Sequence, residues 1–597
     1  MNRLPLGAFG ALVAATVGAF FVVQHLKAST PLYAGFPKPN PQWINPRDGN
    51  ACDGVDHRAT TISFYLLHRA DNVDVYVVNR DGAIVRTVAS GRHMRIRVRK
   101  PDGVFNWDGR TDSGQFAPDG VYRFRVALRQ QGRTVQLPVP VLVRTRPPRP
   151  AVTRVTPSLI PHDDEAAAIG VRGAGSGPTS VQVYRTDASL NPSLAANLTV
   201  AASARPSWDG RLAGQPAPAG TYLIGVTVHD RACNVGRFPP QLPPAPNSTH
   251  GAGVTVRYLA AQPPMDPTPA GTHALVYVDA RQRDYAWTLT RVGASTPVAR
   301  GSGSAFTLRV HVPARERAGL YVLALRSGAH RTSVPLVVSN PQRGEGSSSP
   351  QRVLVVLPAL TWQGQNPVDD DGDGIPNTLR RGGPILLERP LANGLPQGFD
   401  DEAAILTYLD AHHLAYDLTT DLGLLDKVGP TLTRYRGVVL AGSERWQADS
   451  VGAALRTFAE NGGRVLVAGV ESLRQGVKVQ GGRAFAPSAP AQGDIFAVRQ
   501  GQLVTGSRDL IAVIRDRLGI FAGTSGAFPG FNSFQVLQPS RPPASAAGTS
   551  DQTTSVVGFR FGLGTVVEIG LVGFGTSLAS DVDAQQLLGK IWRLLEG

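Results

Sequence analysis

A repeat with a period of about 100 residues, the size of one β-sandwich, limits the folds open to this chain most strongly. Two copies combine Trp-Asp-Gly-Arg with Pro-x-Gly-x-Tyr, at Trp107–Arg110 and Pro118–Tyr122 and again at Trp208–Arg211 and Pro218–Tyr222. A third copy keeps only Gly319 and Tyr321. Alternating apolar residues flank each copy, as expected for strands. The sequence therefore predicts three consecutive β-sandwiches, with each tryptophan in a core.

The repeated pattern resembles the immunoglobulin-like domains of flagellar hook-capping proteins and other bacterial surface proteins. This resemblance implies a fold and carries almost no information on ligands. Proline-rich segments, Arg146–Pro150 and Phe238–Pro246, indicate short joints between the repeats, and Gln342–Pro350 indicates a flexible tether. The predicted domains are an N-terminal segment at 1–28, immunoglobulin-like domains at 55–146, 151–238 and 251–340, and a different domain at 351–597.

The apolar run Leu4–Val23 is about long enough to span a bilayer core of about 30 Å as a helix. It favours an uncleaved signal anchor, which predicts a single-pass cell-membrane protein with its bulk outside the cytoplasm. The alternative is a cleaved signal peptide and a secreted protein.

The chain has two cysteines, Cys52 and Cys233. In an oxidising compartment such a pair can form a disulfide, which here would tie the first repeat to the end of the second. Two unpaired buried thiols are the alternative.

The net charge of +15 comes from the first 350 residues, because the rest of the chain is slightly acidic. A basic front half favours an anionic lipid or a cell-wall or surface polymer as partner, and a solvated arginine-rich surface is the alternative. No basic run is interleaved with aromatic residues, which argues against nucleic-acid binding.

After Pro350 the pattern changes to buried strands alternating with helices. Val353–Leu357 is a continuous apolar run, Gly437–Ala441 and Arg464–Ala468 are two further candidate strands, and residues 400–412, 447–461 and 584–595 have helical periodicity. This alternation predicts an α/β domain with a doubly wound parallel sheet. Its ligands are expected at the carboxyl ends of the strands.

Three segments at these strand ends carry a family resemblance: Thr361–Asn366, Ser443–Trp446 and Gly462–Val465. They are similar to segments of N,N-dimethylformamidase large-subunit-like C-terminal domains, over about residues 351–597. The resemblance extends to the class I glutamine-amidotransferase-like fold. It implies an iron ion held by tyrosine and glutamate side chains, but Gln365 and Arg445 stand where the tyrosines are expected. An arginine repels a cation, which makes iron doubtful here.

The sequence offers little else for catalysis in this domain. An amidotransferase mechanism needs a cysteine activated by a histidine, yet both cysteines lie elsewhere and the domain's histidines are His412 and His413, late in a helix. Glu444 and Glu471 follow two strands and are candidate catalytic residues, as acid and base or as cation ligands. The alternative is a helix N-terminal Glu444 and a solvated Glu471.

A candidate calcium loop follows the first strand. Asp369, Asp371, Asp373 and Asn377 occupy loop positions 1, 3, 5 and 9, with Gly374 at position 6. Position 12, normally an acidic ligand, is Arg380, so the sequence predicts a weak site. An acidic surface turn is the alternative.

Two functions remain open from the sequence. The first is an exported, membrane-anchored surface protein whose degenerate C-terminal domain binds a ligand or has a structural role. The second is a metal-dependent amide-bond hydrolase. The missing thiol and the residues at the tyrosine positions favour the first.

Overall fold

The computed structural model describes residues 4–29, 33–34, 37–49, 51–160, 166–173, 179–201, 205–341, 353–550 and 553–597. The predicted tether at 342–350 lies outside the described residues. Strands make up 41% and helices 15% of the structure. Three β units precede a C-terminal part built on a mixed sheet.

The first β unit contains one large sheet facing a small one. In spatial order the large sheet is Trp43–Ile44, Val141–Val143, Gly120–Leu128, Asp71–Val78 and Ile84–Met94, with Arg133–Gln136 also paired to Gly120–Leu128. Thr60–Ser63 pairs with Val104–Trp107, and Tyr33–Ala34 with Tyr65–Leu66. Buried residues alternate with more exposed ones along strands such as Gly120–Leu128. The buried sides of the two sheets face each other and enclose one core.

The repeated motif forms an aromatic corner in this core. Trp107 packs on Tyr122 with ring centroids 5.2 Å apart, and its Nε1 donates a hydrogen bond to the Arg110 carbonyl at 2.8 Å. The Tyr122 hydroxyl donates to the Pro118 carbonyl at 2.7 Å. The turn residue with a left-handed backbone is Gly109 (φ 70°), which only glycine adopts without strain.

The second β unit repeats this corner closely. Trp208 and Tyr222 lie 5.1 Å apart and donate to the carbonyls of Arg211 (3.0 Å) and Pro218 (2.8 Å). Its large sheet has the order Leu159–Ile160, Gly253–Val256, Gly220–His229, Thr179–Arg185 and Ser193–Val200, with Val235–Phe238 on Gly220–His229. The remaining strands are Ala151–Thr156, Ala167–Arg172 and Ser207–Trp208, and the hairpin Arg211–Leu212 with Gln215–Pro216. The strand Gly253–Val256 lies beyond the proline-rich joint expected to end this domain.

The third β unit keeps the tyrosine of the motif in a different setting. Tyr321 is fully buried, and its hydroxyl contacts Glu316 and Arg291 as well as the Arg317 carbonyl. One sheet is Thr268–Pro269, His330–Ser339, Gly319–Ser327, Tyr285–Arg291 and Ala299–Gly303, and the other is Ala260–Gln262, His273–Asp279 and Thr307–His311.

The N-terminal segment forms a helix, Leu4–Ser29. Among the helices of the described residues, none is long and apolar enough to cross a membrane. The predicted signal anchor and the single-pass cell-membrane location are therefore wrong.

The prediction of a doubly wound parallel α/β domain is also wrong. The C-terminal sheet is mixed, with nine strands in the order Tyr416–Thr420, Val353–Leu357, Gly437–Ala441, Arg464–Ala468, Gly564–Ile569, Thr554–Phe561, Ser545–Gly548, Ile511–Asp516 and Ala527–Phe528. The first five strands are parallel and the others antiparallel. Strand–helix alternation stops after Ala468, because the following glycine- and proline-rich segments form short strands instead of crossover helices.

Helices and small strands complete this part. The helices are Ala359–Gln365, Phe399–Ala411, Asp421–Asp426, Asp449–Glu460, Phe574–Ser577 and Val582–Glu596, with 3-10 turns at Leu379–Arg381 and Leu432–Arg434. The small sheets are Ile385–Leu386 with Arg483–Ala484 and Val479–Gln480, Trp446–Ala448 with Gln475–Val477, and Val498–Val504 with Phe534–Pro539.

Direct contacts join the β units to each other and to the C-terminal part. A disulfide links Cys52 of the first unit to Cys233 of the second, with Cα atoms 5.5 Å apart. Beside it, Asn45 Nδ2 donates to Asn234 Oδ1 at 2.6 Å. Leu320 of the third unit belongs to the same apolar core as the strand Val353–Leu357.

Candidate functional site

A cavity of about 390 Å³ lies where the second β unit meets the carboxyl ends of the first C-terminal strands. We call it the junction cavity. One wall is the loop Asp187–Leu190 of the second unit. The other walls come from the C-terminal part: Trp362 and residues 365–367, Pro376, Thr378, Arg380 and Arg381, Leu391 and residues 393–397, and Arg445 and Trp446. Its volume is at the lower end for small-molecule sites.

The junction cavity contains both residues that stand at the expected tyrosine positions. Gln365 ends the helix Ala359–Gln365, and Arg445 follows the strand Gly437–Ala441. The Arg445 guanidinium forms an ion pair with Glu471, with Nη2 and Oε2 3.3 Å apart, and lies over the Trp446 ring at 5.4 Å. A guanidinium thus occupies the wall where the family resemblance implies a metal ligand.

Two polar atoms of the cavity-lining residues are buried and have no hydrogen-bond partner in the described part of the chain. They are the acceptor Gln365 Oε1 and the donor Trp446 Nε1. Trp446 is fully buried because its ring packs against the helix at Gly364, where a Cβ atom would lie 2.6 Å from the ring. Such unpaired buried groups cost free energy unless a ligand or water pairs with them.

Three buried carboxyl groups lie behind the cavity wall. Asp421 and Glu444 follow the strands Tyr416–Thr420 and Gly437–Ala441, and Glu402 comes from the helix Phe399–Ala411. Glu402 accepts hydrogen bonds from Trp362 Nε1 at 3.0 and 3.2 Å. Burial raises the pKa of Asp421 to about 7, although backbone N–H donors oppose the shift.

The same burial raises the pKa of Glu402 well above its usual range, against the opposing hydrogen bond from Trp362. It also raises the pKa of Glu444, where the nearby Asp421 and Glu402 carboxyls add to the effect. The protonated forms are therefore favoured in this cluster, because neighbouring buried carboxylates cannot all ionise.

The two predicted catalytic glutamates, Glu444 and Glu471, lie in different environments. Glu444 is 1% exposed and is not a lining residue of the junction cavity, whereas Glu471 is paired with Arg445 at its edge. Sequence reasoning missed Glu402 and Asp421. The position of Asp421 at the end of a buried strand was an available signal, and Glu402 had none.

The predicted calcium loop brings its three aspartates together. Carboxylate oxygens of Asp369, Asp371 and Asp373 lie within 4.8 Å of one another. Asn377 is used within the loop, since its Oδ1 accepts from the Asp370 N–H at 2.6 Å. Burial raises the pKa of Asp369 to about 7, with backbone N–H donors opposing and the Asp373 charge adding to the shift.

This loop also contacts the second β unit. The Gly372 carbonyl accepts from the N–H groups of Gly251 and Gly253, both at 3.0 Å, and the Gly374 carbonyl accepts from Thr186 Oγ1 at 2.7 Å. The chain then continues into the cavity wall at Pro376, so the loop positions one side of the junction cavity.

Comparison with protein families gives two matches. Residues 304–482 match the family described as N,N-dimethylformamidase beta subunit-like, C-terminal, and residues 49–132 match the FlgD Ig-like domain. The first match begins within the third β unit and stops at 482, so the range of 351–597 expected for this resemblance is corrected. Neither match supports the wider glutamine-amidotransferase-like fold. No curated protein matches the chain significantly.

Comparison with solved structures gives matches to parts of this chain. The β-galactosidase from Bacillus circulans sp. alkalophilus is 14% identical over 41% of this chain and 31% of its own, with a TM-score of 0.26. The β-galactosidase from Rahnella sp. R3 is 13% identical over 32% and 26%, with a TM-score of 0.23. The exo-β-1,4-mannosidase from Opitutaceae bacterium strain TAV5 is 12% identical over 40% and 35%, with a TM-score of 0.25. The chain thus spans about a third or less of these proteins.

Proposed function

We propose that this protein binds a small ligand in the junction cavity without hydrolysing it. The C-terminal part is related in sequence to N,N-dimethylformamidase, which links it to amide-hydrolysing proteins. The observation that carries the proposal is Arg445, because a guanidinium lines the cavity where the resemblance implies an iron-binding tyrosine.

The residues present do not fit an iron ion. Gln365 offers only a neutral amide oxygen, and Arg445 offers no lone pair and adds a positive charge. The nearby carboxyls, Glu402 and Glu444, are buried and have raised pKa values, so they favour the protonated form that does not bind metals. The described lining therefore offers no ligand set for the metal centre that the second function open from the sequence, a metal-dependent amide hydrolase, would need.

We also propose a distant fold relationship and a cellular compartment for this protein. The five parallel strands and the turn after Ala468 favour a distant relation to the class I glutamine-amidotransferase-like fold, in a form without the cysteine nucleophile. The Cys52–Cys233 disulfide favours an oxidising, non-cytoplasmic compartment.

The test is a combined assay of metal content and turnover on the full-length protein. After incubation with ferrous iron or zinc and removal of free metal, we expect less than stoichiometric metal and no release of dimethylamine from N,N-dimethylformamide. Arg445→Gln is the matched variant, and it should be equally inactive. Stoichiometric metal together with turnover in the wild type would overturn the proposal.

A further inference from the structure

The described lining of the junction cavity carries more positive than negative charge. Arg380, Arg381 and Arg445 all line it, whereas Asp187 is the acidic residue among the lining residues. Asp187 is neutralised outside the cavity by Arg185, with Nε and Oδ1 2.8 Å apart. The cavity therefore favours an anionic ligand.

The three arginines are not equally available. Arg381 donates hydrogen bonds to the carbonyls of Thr186, Ser189 and Leu190 and so holds the loop of the second β unit in place.

Arg380 is exposed and has no acidic group within 4.0 Å among the described residues. Arg445 keeps one guanidinium face on Trp446 and contacts both Glu471 carboxylate oxygens through Nη2 alone, at 3.3 and 3.4 Å, which leaves its Nε and Nη1 donors without a described partner. Arg380 and Arg445 are therefore the groups able to meet an anion.

The unpaired buried atoms specify a second feature of the ligand. Trp446 Nε1 is a donor without an acceptor, and Gln365 Oε1 is an acceptor without a donor. A secondary amide offers one of each, a carbonyl oxygen and an N–H. Trp362 and Trp446 provide aromatic walls, which suit the carbon atoms of a ligand that lie between its polar groups.

We infer that the ligand of the junction cavity is a small carboxylate that also carries an amide, such as an N-acyl amino acid or the C-terminal end of a peptide. Arg380 and Arg445 bind the carboxylate, for which the planar guanidinium is matched in shape and charge. Gln365 and Trp446 pair with the amide. This inference rests on the proposed function, because it names the class of ligand that the non-hydrolytic site takes.

The experiment is isothermal titration calorimetry on the full-length protein with four probes. N-acetylglycine has both groups, N-acetylglycinamide lacks the charge, acetate lacks the amide, and inorganic phosphate tests for general anion binding. We expect N-acetylglycine to bind at least about 10-fold more tightly than each of the others, since hydrogen bonds to charged groups are the stronger ones.

Variants assign the binding to named residues. Arg380→Gln and Arg445→Gln should each weaken N-acetylglycine binding about 10-fold or more, and Trp446→Phe should weaken it by removing the donor. Arg508→Gln removes the same charge from an exposed position outside the cavity and should leave affinity unchanged. Thermal unfolding of each variant checks that it is folded.

Three outcomes would overturn the inference: no binding of N-acetylglycine, equal or tighter binding of N-acetylglycinamide or phosphate, or unchanged affinity in both arginine variants. If N-acetylglycine binds as expected, comparing its affinity with that of glycylglycine distinguishes an N-acyl amino acid from a free peptide as the ligand. Failure of the ligand class leaves the non-hydrolytic assignment standing, because turnover and metal content decide that separately.

Discussion

Arg291 and Asp410 form a two-point ion pair between the third β unit and the C-terminal part. The Nε–Oδ2 and Nη2–Oδ1 distances are 2.7 and 2.8 Å, and the side chains are 14% and 23% exposed. Arg291 also donates to the Ala318 carbonyl and the Tyr416 hydroxyl. The pair is a direct contact between the third β unit and the C-terminal part, whereas the sequence indicated only a tether between them.

Removing one partner should destabilise the protein. For Asp410→Asn we expect a loss of about 2–4 kcal/mol in the free energy of unfolding, because a mostly buried guanidinium loses its counter-charge. Urea unfolding measures it. Arg309→Leu, at an exposed position of the same unit, should change stability little, and an equal loss there would contradict the assignment.

The aromatic corners predict a matched pair of core mutations. Trp107→Ala and Trp208→Ala should each cost about 3–5 kcal/mol, because both rings are fully buried. Tyr122→Phe and Tyr222→Phe should cost about 1 kcal/mol each, since they lose one hydrogen bond. Thermal unfolding of the four variants tests this order. Trp287→Ala, at a half-buried position, should be milder than either core tryptophan.

The buried carboxyl cluster predicts how stability depends on pH. The pKa of Asp421 is raised to about 7 from its usual 3.8, so the folded state holds a proton that the unfolded state has lost. Stability is therefore greatest below about pH 4 for this group and falls as pH rises through about 7.

Asp421→Asn keeps an acceptor for the Leu360 and Leu422 N–H groups but removes the titration. It should flatten the fall in unfolding free energy between about pH 4 and 7, by up to about 1.4 kcal/mol per pH unit. Urea unfolding at several pH values is the measurement, and an unchanged slope would exclude Asp421 as a titrating group.

Calcium binding to the Asp369–Asn377 loop remains a prediction. With Arg380 at the twelfth position we expect a Kd of about 10⁻⁴–10⁻³ M, and about 100-fold excess should add about 2.7 kcal/mol of stability. Thermal unfolding of the full chain with calcium or chelator measures it. The double variant Asp371→Asn with Asp373→Asn should lose the shift, and a shift that survives would place calcium elsewhere.

The contact between the second β unit and the Asp369–Asn377 loop has no room for a methyl group on Gly253. A Cβ atom on Gly253 would lie 2.4 Å from the Gly374 nitrogen and 2.5 Å from Asp369 Oδ2. Gly253→Ala should therefore cost about 1–3 kcal/mol and expose the junction to limited proteolysis. Gly383→Ala, where nothing lies within 4 Å, is the matched control and should have little effect.

Local patterns were enough to predict that the front half of the chain is rich in β-strands, although not where each β unit ends. The Trp107 and Trp208 motifs lie in cores as their composition suggests, because an aromatic beside a tight turn has few other places to pack. The mixed sheet was not predictable in the same way. Strands such as Ser545–Gly548 are short and glycine- or alanine-rich, so their pairing depends on distant neighbours.

The candidate site was only partly visible for a similar reason. Gln365 and Arg445 follow recognisable segments, but the cavity between them needs Asp187–Leu190, which lies far away in the sequence. Arg381 makes that connection through backbone carbonyls, which no side-chain pattern encodes.

The disulfide between Cys52 and Cys233 also changes how the chain would respond to mechanical tension. The two cysteines are separated by 181 residues, which could extend by about 600 Å if pulled straight. When the two ends of the chain are pulled apart, the disulfide between Cys52 and Cys233 carries the force. Most of the first two β units, which lie between these cysteines in the sequence, are then not under tension. Under load the disulfide prevents the residues between the two cysteines from extending, and after reduction they could extend only as the two β units unfold.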